Sequence, residues 1–65
     1  MPASRQFYVA DKGSADRAIK SQLEQKPIEI SGTNSTRVEF YRGVVQGVEE
    51  DRINRRWRIT ILDEK

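Results

Sequence analysis

Residues 37–49 read as a strand throughout except for two glycines, Gly43 and Gly47, and a cleaner strand pattern follows at 55–62 after a short polar turn. In the second stretch Trp57, Ile59 and Ile61 alternate with Arg56, Arg58 and Thr60, the pattern of a half-buried antiparallel strand. Upstream, Val38, Phe40, Val44 and Val48 share one parity, but Arg42 and Gln46 share it too. A four-residue loop at 51–54 pairs Val48 with Trp57, Val44 with Ile61 and Glu49 with Arg56. A five-residue loop sets Gly47 against Trp57 and Gly43 against Ile61 instead. The first register is preferred, because it matches apolar with apolar and acid with base across the strands. Arg42 and Gln46 then face the core unless a bulge near Gly43 turns them out, and glycine inside a strand commonly marks such a bulge. Bends at both glycines would curl the sheet.

The rest of the chain supplies short elements. Residues 6–10 form a first strand with Phe7 and Val9 on one side and Tyr8 on the other, and 11–13 are turn residues. Ser14 suits an N-cap and Asp16 the positive end of a helix dipole. Ala15, Ala18, Ile19, Gln22 and Leu23 recur on one helical face, and Pro27 ends the helix, predicted over 14–26. Ile28 and Ile30 mark a second short strand, and 31–36 read as a loop.

With 65 residues the chain makes one domain, and such a small core leaves a thin stability margin. There is no cysteine and no histidine, so neither a disulfide nor an ordinary structural zinc reinforces it. The expected fold is a single α+β domain in the order β-α-β-β-β, an antiparallel sheet with one helix packed on one face. A strongly curled, barrel-like sheet is the alternative. Residues 1–5 and 63–65 are expected to fray.

Function is less legible. Lacking His and Cys, the chain offers neither the commonest general base nor the strongest ordinary nucleophile, so a non-enzymatic binding module is expected. Glu49, Glu50 and Asp51 read as a solvated corner rather than a metal site, and no cofactor or metal is expected. No apolar run reaches membrane-spanning length and no secretory signal is evident, so no membrane partner and a cytoplasmic location are expected. The net charge of +2 is too small to indicate a partner by itself. The leading functional reading is nucleic-acid binding. Arg52, Arg55, Arg56 and Arg58 crowd the hairpin, with Tyr41 placed on its outer face to stack a base. The alternative is a protein-interaction or self-associating domain using an outer apolar patch of Tyr8, Val45 and Leu62.

Overall fold

The computed structural model describes residues 3–63. Four antiparallel strands, β1 (Ala3–Val9), β2 (Ile28–Asn34), β3 (Arg37–Asp51) and β4 (Arg56–Asp63), close into a small barrel, with one helix, α1 (Lys12–Glu24), between β1 and β2. The α+β class and the element order agree with the sequence expectation, in its curled form.

The length of β3 dictates the curl. A straight strand of 15 residues would run about 50 Å at ~3.3 Å per residue. The longest dimension of the domain is 32 Å, so β3 has to bend. Gly43 makes one bend with φ of 151°, a conformation side chains disfavour. A bulge makes the other: Val45 pairs with Ile61 and Gly47 with Thr60, leaving Gln46 as the extra residue. Residues 37–43 of β3 pair with β2, and 43–51 pair with β4, so one strand serves both halves of the barrel.

The bulge corrects the expected register and the expected faces. Trp57 lies opposite Glu50, Ile59 opposite Val48, Arg58 opposite Glu49 and Leu62 opposite Val44. An extra residue reverses side-chain parity, so odd-numbered Tyr41 and Val45 point inward before the bulge and even-numbered Val48 packs on the core after it. Tyr41 and Val45, placed outside by the sequence pattern, are core residues. Val38 and Phe40, placed inside, lie on the surface. Ile59 and Ile61 are fully enclosed and Trp57 is half-buried against the core, as the alternation of the last strand implies.

The core joins Phe7, Val9, Ile30, Tyr41, Val45, Ile59 and Ile61 of the strands to Ala15 and Ala18 of α1. Phe7 and Tyr41 stack across it, ring centroids 4.2 Å apart and 8° from parallel. Gly32 lies under the Phe7 ring, where a Cβ would come within 2.1 Å of Cδ2.

Three local expectations change. The loop expected at 31–36 is mostly strand: β2 runs to Asn34 and turns through Ser35 and Thr36, with Ser35 at φ 57°. The N-terminal segment expected to fray is paired from Ala3 onward, with Arg5 opposite Ile61 and its Nη1 donating to Asp63 Oδ2 at 3.3 Å. The outermost residues expected to fray, 1, 2, 64 and 65, lie outside the described residues. The helix begins earlier than expected, capped by Asp11, whose carboxylate accepts from the Ser14 amide at 2.8 Å. That bond is the main reason the Asp11 pKa is held below the usual range.

The buried face of α1 is also rotated from the expected one. Ala15, Ala18 and Ser21 are enclosed, whereas Ile19 is exposed and Leu23 is 79% exposed. The Ser21 hydroxyl donates to Lys26 O at 2.6 Å and accepts from the Val45 amide at 3.2 Å. Gln22 Nε2 donates to Gln46 O at 3.2 Å. The helix therefore covers the part of β3 that β2 no longer reaches, and polar side chains satisfy its backbone groups there.

Candidate functional site

Two surfaces carry chemistry. The first is the tip of the β3–β4 hairpin, a four-residue turn over 52–55. Asp51 closes it: its carboxylate accepts from the Asn54 amide at 3.3 Å and from Asn54 Nδ2 at 2.8 Å. Those two bonds, with a smaller contribution from Arg56, lower the Asp51 pKa. Arg55 takes a positive φ of 54° to bring the chain back into β4.

Of the four arginines read from the sequence, three meet acids of β3. Arg58 Nη2 donates to Glu49 Oε1 at 2.5 Å, Arg56 Nε to Asp51 Oδ2 at 3.4 Å, and Arg52 Nε lies 3.7 Å from Glu50 Oε1. The bond to Glu49 is the main cause raising the Arg58 pKa. Arg56 also lays its guanidinium 3.7 Å from the centre of the Tyr8 ring. Among the described residues Arg55 has no carboxylate partner. All three pairs keep at least one partly exposed partner, where water and salt screen the attraction, and such pairs hold their partners only weakly. An open cleft of about 430 Å³ lies between Arg52, Arg55, Arg56, Trp57, Glu50 and Ala10.

Tyr41 takes no part in this surface. It is enclosed against Phe7, and its hydroxyl donates to Glu39 Oε2 at 3.2 Å. Burial is the first cause of its raised pKa and the Glu39 bond the second. The aromatic side chains beside the arginines are instead Trp57 and Tyr8.

The expected apolar patch does not assemble as drawn. Val45 is 0% exposed in the core, Tyr8 lies under Arg56, and Leu62 is half-buried opposite Val44. A different apolar surface exists on the outer side of β2–β3. There Phe40 is 85% exposed and Val38 75%. They face Ser31 and Thr33 of β2, and the strip ends at Arg42, whose Nε lies 3.8 Å from Glu29 Oε1. The sequence contained the signal for this surface in the shared parity of Val38 and Phe40 with Arg42, a residue that belongs in water.

Among the described residues, no cluster of three or more His, Cys, Asp or Glu side chains could hold a metal ion, and no helix is long and apolar enough to cross a membrane. Comparison of the chain with protein-family models, with characterised proteins and with solved structures finds no match in any of the three.

Proposed function

We propose that this domain is a protein-binding module whose contact surface is the outer side of β2–β3. The observation that carries the reading is the exposure of Phe40 and Val38, two positions apart on one strand face. Covering a large apolar side chain stabilises by about 1.5–3 kcal/mol, a substantial sum beside the margin of so small a domain. Aromatic residues in such positions tend to dominate binding energy, and the polar Ser31, Thr33 and Glu29–Arg42 rim suits a surface that alternates between free and bound.

A second reading, binding of single-stranded nucleic acid at the hairpin tip, is favoured by the cleft that sets Trp57 among Arg52, Arg55 and Arg56. One experiment addresses both. A photo-crosslinking amino acid is placed at position 40, at position 55, or at position 60 as a control, in cells producing the full chain. The protein-binding reading expects a discrete, protease-sensitive adduct from position 40 and none from position 60. Nuclease-sensitive adducts from position 55 alone would replace it with the second reading, and absence of any adduct from position 40 would remove the first.

A further inference from the structure

We infer that the open cleft between the last turns of α1 and the start of β2 is a binding site for a phosphomonoester. The inference goes beyond the Phe40 reading and stands apart from it, since it uses none of that surface. The cleft has a volume of about 320 Å³, within the range of small-ligand sites, roughly 300–1,000 Å³. Arg17, Lys20 and Lys26 line it together with a single acid, Glu24, and Pro27 and Ile28 supply apolar wall.

Helical spacing and a fastened turn gather the cations. Arg17, Lys20 and Glu24 recur at i, i+3 and i+7, one face of α1. Pro27 cannot continue the helix, and the chain doubles back through Gln25, at a left-handed φ of 57°. The Ser21 hydroxyl donates to Lys26 O at 2.6 Å, and Ser21 O accepts from the Gln25 and Lys26 amides. Lys26 is thereby returned to the cleft that Arg17 and Lys20 border. Arg17 is held from the β2 side, its Nη2 donating to Glu29 O at 2.8 Å. A guanidinium carries several N–H donors, so that bond fixes the group and leaves the others for a ligand.

Charge and oxygen count select the ligand. Three cations against one carboxylate leave the cleft positive by two charges. Among the described residues none of these four side chains takes part in an ion pair. At the hairpin tip, by contrast, Arg52 and Arg56 are each paired with an acid of β3. The negative end of the α1 dipole would oppose an anion, but the carbonyls there are occupied. Ser21 O accepts from two amides, and Gln22 O from Gln25 Nε2 at 2.7 Å. A phosphomonoester carries about 1.5 to 2 negative charges near pH 7 and three acceptor oxygens, matching the excess charge and the three cationic side chains. A phosphodiester, as in a nucleic-acid backbone, carries a single charge and fits less well.

The test follows backbone amide shifts of the full chain at low salt and neutral pH. The probes are inorganic phosphate, methyl phosphate, dimethyl phosphate and a phosphoserine tripeptide. Saturable shifts are expected at Lys20, Ser21, Lys26 and Ile28, with dimethyl phosphate at least about fivefold weaker than methyl phosphate. Lys20→Gln should weaken binding of methyl phosphate by about two- to fivefold, and Glu24→Gln should tighten it by a similar factor. Both are changes at exposed positions of α1 that leave the fold intact. Lys12→Gln removes the same charge from the far end of α1 and should change little. Shifts that do not saturate, or equal binding of the diester, would overturn the site. So would a loss in Lys12→Gln as large as in Lys20→Gln, or a Glu24→Gln variant that binds no tighter. Tighter binding of the tripeptide than of the free phosphates supports the site and assigns it to a phosphorylated protein side chain. Tighter binding of the free phosphates supports it and assigns it to a small phosphorylated molecule.

Discussion

Gly32 and Gly47 occupy strand environments that make opposite demands. At Gly32 an added methyl would meet the Phe7 ring at Cδ2, Cε2 and Cγ, all within 3.0 Å, in a core with no spare room. At Gly47 nothing lies within 4 Å of the same position. Gly32→Ala is therefore expected to cost about 1–3 kcal/mol, the usual range for overpacking, whereas Gly47→Ala leaves stability nearly unchanged. Urea or thermal denaturation of the two variants checks this, and equal losses would contradict the packing assigned to Phe7. Nothing in the neighbouring residues announced the difference. Gly32 sits in a run, Ser31 to Thr36, whose composition reads as a loop, and the ring that requires it comes from β1, 25 positions earlier.

At the scale of the element, α1 illustrates how a hydrophobic pattern misorients a helix. Ala15 and Ala18 were legible as the close-packing face, and they are enclosed. Ile19 and Leu23 were grouped with them, and with Gln22, because periodicity counts apolar residues and treats Ser21 as outward-facing. The unpaired backbone of β3 at the bulge reverses that preference, since Val45 N–H needs an acceptor and Ser21 supplies it. Removing the hydroxyl leaves a buried donor without its partner, a loss of about 1–3 kcal/mol. Ser21→Ala should lower stability by that order and speed hydrogen exchange at the Val45 amide. If neither changes, the helix does not hold this edge of the strand. The hairpin was read more closely: β4 and its inward Ile59 and Ile61 were evident from clean alternation, but its partner strand hid an extra residue at Gln46.

Across the whole molecule, the Phe7–Tyr41 stack ties β1 to the first half of β3, elements that do not pair with each other. Tyr41 is thus a reporter of barrel closure. Its folded pKa is raised, foremost by burial, above the value of about 10 for tyrosine in an unfolded chain. The neutral phenol is the form the fold favours, so its stabilisation is complete below about pH 10 and is lost as pH rises through the folded value. In a Tyr8→Phe background, the remaining tyrosine should ionise above pH ~10 with unfolding following, and Tyr41→Phe should flatten that alkaline limb. Ionisation at the ordinary pH in the folded protein would show the stack to be open. Composition and local alternation by themselves determined a single small domain, its element order, the inward side of β4 and the absence of the commonest catalytic side chains. Only the tertiary structure decided which way β3 faces, which residues α1 buries and where apolar surface meets solvent. Side-chain parity is a local property that one inserted residue reverses, and the insertion at Gln46 is held in place by hydrogen bonds and pairings from α1 and β4, remote in the chain.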